Sequence, residues 1–180
     1  MPINIPNALT IFRIVLVPVF LYLLIEDRVG HALAAFVAAG VTDAVDGFIA
    51  RTFNRKTEFG ANLDPFADKL LLVSAYVALT AKGLIPLWLC APVILRDVVI
   101  VSGVFILRGT GRKVVISPTI SGKLTTFLQI STVIYAMAFA GGRGGFFTAL
   151  SIATAAITVY TGFDYALREI RIQRGDEKGY

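Results

Sequence analysis

The chain has 180 residues, of which 56% are hydrophobic and 16% charged, with a net charge of +5 and a mean hydropathy of +0.75. Soluble domains are nearer a quarter charged, so the composition excludes an ordinary soluble globule and points to one polytopic membrane domain over residues 1–180. The single cysteine, Cys90, excludes an intrachain disulfide. The basic residues lie mainly between apolar runs, which favours membrane topology and anionic headgroups over nucleic acid as their role.

The apolar pattern predicts an all-α fold of six transmembrane helices. The first runs from Ile5 to Ile25, with Asn4 or Asn7 as a cap, Pro6 in the first turn and Pro18 as a candidate bend. It lacks a basic leader and a small-residue cleavage pattern, and Arg13 interrupts it, so it reads as a retained span. After the short loop 26–30 the second helix runs from His31 to Phe53. Its small residues Ala32, Ala34, Ala35, Ala38, Ala39 and Gly40 suit close helix packing in lipid. The third runs from Asn62 to Ala81, with Gly83 as a stop signal. The fourth runs from Leu84 to Arg108, the fifth from the Ser117-Pro118 cap to Ala140, and the sixth from Phe146 to Ile170.

Charge fixes an orientation for these spans. If the loop between the second and third helices is cytoplasmic, that side holds Arg51, Arg55, Lys56, Arg108, Arg112, Lys113, Lys123, Arg168, Arg171, Arg174 and Lys178. The opposite side holds only Arg28, Lys82 and Arg143. Eleven against three obeys the positive-inside rule and makes both termini cytoplasmic. Three basic residues stay within spans: Arg13, Lys69 and Arg96. Ionisable groups there face a cavity or a partner, or reach the interface. Asp97 sits beside Arg96, but adjacent helix positions point apart, so an anion-binding role is expected for Arg13 and Arg96. His31 is expected at the interface.

Four of the eight aspartates, Asp43, Asp46, Asp64 and Asp68, fall within 26 residues of an otherwise apolar chain. On helices, Asp43 and Asp46 (i, i+3) share one face, as do Asp64 and Asp68 (i, i+4). The polar stretch 52–61 between them lets the chain turn back and bring the two pairs together. Clustered carboxylates repel one another unless cations lie between them, and an all-oxygen set suits Mg2+ or Mn2+. Gly47 and Ala50 leave room for a ligand, and Arg51 is a planar donor suited to phosphate. Metal ligands, a phosphate donor and open space together indicate phosphoryl chemistry.

The spacing D-x2-D-G-x2-A-R-x8-G-x3-D-x3-D is met at every fixed position by Asp43, Asp46, Gly47, Ala50, Arg51, Gly60, Asp64 and Asp68. It resembles the signature of the CDP-alcohol phosphotransferase family of membrane enzymes. The resemblance implies transfer of a substituted phosphate from a CDP-alcohol to an acceptor hydroxyl, with release of CMP. It implies two Mg2+ or Mn2+ ions on Asp43, Asp46, Asp64 and Asp68, with Asp68 also acting as general base. It places the nucleotide near Asp43, Gly47, Ala50, Arg51 and Gly60, and it implies a homodimer in the cytoplasmic membrane with the site facing the cytoplasm.

The apolar spans favour CDP-diacylglycerol as donor. The opening Asn4-Ile-Pro-Asn-Ala-Leu-Thr10 with Arg13, and Gly122-Lys123 with Thr126 and Gln129, resemble the members that use glycerol 3-phosphate as acceptor. Arg13, Arg96, Arg112, Lys113 and Lys123 are then candidates for the acceptor phosphate. Members that use phosphatidylglycerol share the fifth-helix pattern and are the alternative. A divalent-cation transporter is a reading from another class, but its path would need polar residues across the full depth, and here they crowd one end.

Overall fold

The computed structural model describes the backbone of residues 5–53, 58–109, 120–139 and 144–174, and side-chain surroundings for residue 12 and for 14–42, 69–102, 120–139 and 144–168. The described residues form six α-helices: α1 Ile5–Ile25, α2 Val29–Phe53, α3 Glu58–Ala81, α4 Leu87–Gly109, α5 Ile120–Ala138 and α6 Gly145–Arg174. The all-helical prediction holds, with shifted ends: α2 starts two residues earlier than expected and α3 four. α4 starts three residues later, because Leu84 to Pro86 are spent on the turn. The expected cap Ser117-Pro118 lies outside the described residues.

Two compact units divide the chain, Met1–Leu84 with Val133–Gly142, and Ile85–Thr132 with Arg143–Tyr180. In the first unit α1 packs against both α2 and α3. Val17, Phe20 and Leu24 recur at i, i+3 and i+7 on α1 and are buried, as are Ala32, Phe36 and Ala39 on α2. These spacings put each set on one helix face, and the Phe20 and Phe36 rings meet at 5.8 Å. The small residues of α2 divide by face. Ala32 and Ala39 are buried, whereas Ala34, Ala38 and Gly40 are exposed, and a Cβ added at Gly40 would meet nothing within 4 Å.

Two helix ends of this unit share one stop device. At the end of α3, Gly83 adopts φ +72°, its N–H donates to the Thr80 carbonyl, and the Leu84 N–H donates to the Leu79 carbonyl. At the end of α1, Asp27 adopts φ +57°, its N–H donates to Leu24 and the Arg28 N–H donates to Leu23. Both are Schellman motifs, which satisfy orphan carbonyls through one left-handed residue. Asp27 also forms an ion pair with Lys82, so the two caps are linked to each other.

In the second unit α4 packs along α6, and α5 meets α6 through side-chain hydrogen bonds. Thr125 Oγ1 lies 3.2 Å from Thr161 Oγ1. Gln129 Nε2 donates to Thr158 Oγ1 at 3.2 Å. Thr132 Oγ1 lies 2.9 Å from Thr154 Oγ1. Positions ascend on α5 as they descend on α6, so the two helices run antiparallel. All six residues are fully buried, while Leu95, Phe127, Tyr160 and Phe163 are each more than 60% exposed. Polar groups inside and large apolar groups outside invert the soluble pattern and match packing in lipid.

The described residues form the predicted number of helices, six. Among the described residues, one segment, Gly145–Arg168, is both long and apolar enough to cross a membrane; Ile14–Ile25, Val29–Thr42 and Lys69–Ala81 are shorter apolar stretches.

Gly83→Ala puts a Cβ on a left-handed residue and is expected to destabilise the protein by about 1–2 kcal/mol. Thermal unfolding in detergent checks this, and an unchanged midpoint would mean that the turn relaxes to another conformation.

Candidate active site

The acidic pattern falls on two consecutive helices. Asp43, Asp46, Gly47, Ala50 and Arg51 lie in the second half of α2, and Gly60, Asp64 and Asp68 lie in the first half of α3. Helical backbone is thus present where the face-sharing argument needs it, with i, i+3 spacing on α2 and i, i+4 on α3. α2 and α3 each pack on α1. The side chains of these eight residues, and the connection 54–57, lie outside the described residues, so the expected meeting of the two carboxylate pairs does too. Among the described residues no group of three metal-ligating side chains occurs. The donor set is carboxylate alone, which fits a hard divalent ion.

The basic candidates separate. Arg112 and Lys113 lie outside the described residues, as does the side chain of Arg13 on α1. Lys123, in the first turns of α5, is exposed, and Lys69 on α3 is half-buried. Arg96 is the candidate whose surroundings are defined. It is 5% exposed on α4, and Asp97 beside it is 4% exposed.

The two residues form a pair that the sequence reading excludes. Arg96 Nη1 donates to Asp97 Oδ1 at 2.9 Å. Adjacent Cβ atoms on a helix do diverge, by about 100°, but the long arginine stem folds back across that angle. Arg96 also places its guanidinium carbon 6.0 Å from the centre of the Tyr165 ring on α6, a cation–π arrangement. Gly162 on α6 lies against the arginine stem: a Cβ there would stand 3.5 Å from Arg96 Cβ and Cγ, an ordinary contact. The Nε–H is buried and has no hydrogen-bond partner among the described residues. The arrangement is a neutralised, fixed guanidinium with donor capacity left over.

Sequence reasoning missed the partners on α6. Thr161, Thr158 and Thr154 on α6, spaced by three and four, face Thr125, Gln129 and Thr132 on α5, spaced by four and three, because the two helices run antiparallel. A polar residue at each turn on one face of both helices was a readable signal, and the Thr158 contact holds Gln129 in place. Tyr165 had no comparable signal, because only the α4–α6 packing brings it to Arg96.

The family pattern described as CDP-alcohol phosphatidyltransferase matches residues 3–161, which take in the whole acidic motif and the first five helices. The chain belongs to the CDP-alcohol phosphatidyltransferase family. A probable phosphatidylglycerophosphate synthase of Mycobacterium tuberculosis is 36% identical over 176 residues, covering 93% of this chain and 82% of the relative. A CDP-diacylglycerol–glycerol-3-phosphate 3-phosphatidyltransferase of Bacillus subtilis is 35% identical over 145 residues, covering 72% of this chain and 74% of the relative. The human cardiolipin synthase (CMP-forming) is 47% identical over 108 residues, which cover 59% of this chain and 36% of that longer protein.

The buried pair gives a test within this family member. Asp97→Ala leaves the Arg96 charge uncompensated and is expected to cost about 3–5 kcal/mol, whereas the double variant Arg96→Met/Asp97→Leu recovers most of that loss. Unfolding midpoints in mixed micelles measure both. A loss below about 1 kcal/mol for Asp97→Ala would show the pair to be as weak as an exposed one.

Proposed function

We propose that this family member is a phosphatidylglycerophosphate synthase, transferring the phosphatidyl group of CDP-diacylglycerol to glycerol 3-phosphate with release of CMP. The observation that carries this reading is the complete acidic pattern from Asp43 to Asp68 on consecutive helices, inside the family match. Relatives named for this reaction align over most of the chain and support the acceptor.

In this reading the acceptor hydroxyl oxygen bonds to the phosphorus that carries diacylglycerol, and the bond from that phosphorus to the CMP oxygen breaks. Asp68 takes the hydroxyl proton as general base. Asp43, Asp46, Asp64 and Asp68 are the ligands for divalent metal, and Asp43, Gly47, Ala50, Arg51 and Gly60 line the nucleotide site. Two Mg2+ or Mn2+ ions, when bound, supply charge neutralisation at the pyrophosphate and polarise the phosphorus under attack. No serine, cysteine or histidine lies within the motif, which favours direct in-line transfer over a covalent intermediate. Arg13, Arg96, Arg112, Lys113 and Lys123 are assigned to the acceptor phosphate, and the spare Nε–H of Arg96 supports its inclusion.

The same reading makes residues 1–180 one domain of a homodimer, with six helices crossing the cytoplasmic membrane and the aspartates at the cytoplasmic ends of α2 and α3. The eleven-to-three charge bias and the inverted burial pattern support it. A second reading, cardiolipin synthase with phosphatidylglycerol as acceptor, is favoured by the higher identity to the human enzyme over its shorter match.

Purified protein in detergent, given CDP-diacylglycerol and Mg2+ with glycerol 3-phosphate or phosphatidylglycerol in separate reactions, decides the acceptor. CMP and a new lipid are expected with glycerol 3-phosphate; CMP with phosphatidylglycerol alone would transfer the assignment to the second reading. Asp68→Asn is expected to lower kcat by about 10²–10⁴-fold, and near-normal turnover would remove its role as base. Chelation with EDTA is expected to stop CMP release and added Mg2+ to restore it; release that survives chelation would remove the metal requirement.

A further inference from the structure

Between α4 and α6 lies an open groove of about 170 Å3 lined by Pro92, Leu95, Arg96, Val99, Thr158, Val159, Gly162, Phe163 and Ala166. We propose that this groove is an acyl-chain site, holding one tail of a membrane phospholipid against the Arg96 stem. The proposal rests on the bilayer placement given above but on neither choice of acceptor.

Four observations converge on this occupant. The lining is almost wholly apolar, which excludes a free headgroup, a nucleotide or an ion as the guest. The size is close to the about 150 Å3 of an engineered apolar cavity in another protein that takes benzene, so the groove holds a length of hydrocarbon and not a single methyl group. Every α6 residue in the lining, from Thr158 to Ala166, lies within Gly145–Arg168, the segment long and apolar enough to cross a membrane. On the bilayer placement proposed above, the groove then opens within the α6 span. Its lips, Leu95 and Phe163, are 65% and 69% exposed, so they border the surrounding solvent of the helices, which at that depth is lipid.

The floor is built from a missing side chain. Gly162 has no Cβ, and the Arg96 stem fills the space behind it. A Cβ at position 162 would stand 3.5 Å from Arg96 Cβ and Cγ, an ordinary contact distance. Alanine is thus tolerated there without strain, while a larger side chain at this lining position takes up space that the groove now leaves open. Asp97 holds the Arg96 guanidinium, leaving the aliphatic stem as floor. Long basic side chains commonly present their methylenes to apolar neighbours in this way. Arg96 then has two faces: a fixed charge on one side and a hydrocarbon surface on the other.

The test uses the full chain reconstituted in phosphatidylcholine vesicles that contain a small fraction of phosphatidylglycerol with a diazirine in one acyl chain. Photolysis is followed by peptide mapping, and no turnover is needed. Co-flotation with the vesicles is read first; a chain that does not float refutes the bilayer placement itself. In floated protein, label is expected to concentrate on peptides carrying Leu95, Val99, Val159 and Phe163. Gly162→Leu is expected to reduce that labelling at least about fivefold and Gly162→Ala to reduce it less. Labelling of the exposed α1 residues Val15, Val19 and Tyr22 is expected to stay unchanged in both variants.

Val159→Trp fills the groove from its wall and is a second variant for the case in which Gly162→Leu fails to fold. Label spread over α1, α4 and α6 in proportion to exposure, and unmoved by either filling, would reduce the groove to ordinary lipid-facing surface. Absence of label from the groove, together with Leu95→Cys forming a disulfide between two copies, would show a second copy covering it. Either result overturns the proposal.

Discussion

Hydrocarbon supplies no hydrogen-bond partner, so a polar group carried into it must be satisfied by the protein itself. The hydroxyl and amide pairs of the second unit fit that constraint. Thr125, Gln129 and Thr132 pair with Thr161, Thr158 and Thr154, and several of these hydroxyls also lie within reach of the carbonyl four residues back on their own helix. A threonine hydroxyl has one proton and two lone pairs. In each threonine pair, therefore, one hydroxyl can give its proton to the backbone while it accepts from its partner. The ladder joins two antiparallel helices without any charge, and it fixes their register because a one-residue slip would misalign all three rungs.

The Arg96–Asp97 pair is the charged version of the same solution. A lone guanidinium at this burial is costly, and α4 neutralises it with the next residue in the chain. α6 then contributes the Tyr165 ring and Gly162, which lies against the arginine stem. One residue on α4 thereby draws three features of the unit together: an ion pair, an aromatic face and a glycine. The Nε–H of Arg96 keeps no hydrogen-bond partner among the described residues. The first unit works differently: its buried faces are apolar, and its polar order is at the helix ends, where two left-handed residues close α1 and α3 and the Asp27–Lys82 ion pair links them.

The acidic motif and the buried polar packing lie on different helices. The eight motif positions sit on α2 and α3, whereas the ladder and the buried pair sit on α4, α5 and α6. Members of one family that differ in acceptor must share the donor chemistry, so the acidic motif alone does not separate a glycerol 3-phosphate acceptor from phosphatidylglycerol. The human relative shows the same point from the alignment side: of the three described it has the higher identity, 47%, over the shorter match, 108 residues.

The sequence by itself determined the helical class, the number of helices and, within a few residues, their ends. Hydrophobic runs, glycine stops and proline starts are local signals, and helix hydrogen bonds are local too. It also determined the motif and with it the family, because fixed gaps between carboxylates survive without any knowledge of packing. The pairing of Arg96 with Asp97 was lost to a rule about helix faces that treats side chains as short. Which small residues of α2 pack, which ring meets Arg96, and where a groove remains between α4 and α6 were decided only by tertiary structure. Those outcomes depend on helix rotation and approach, and a linear pattern fixes a face but not the neighbour it meets.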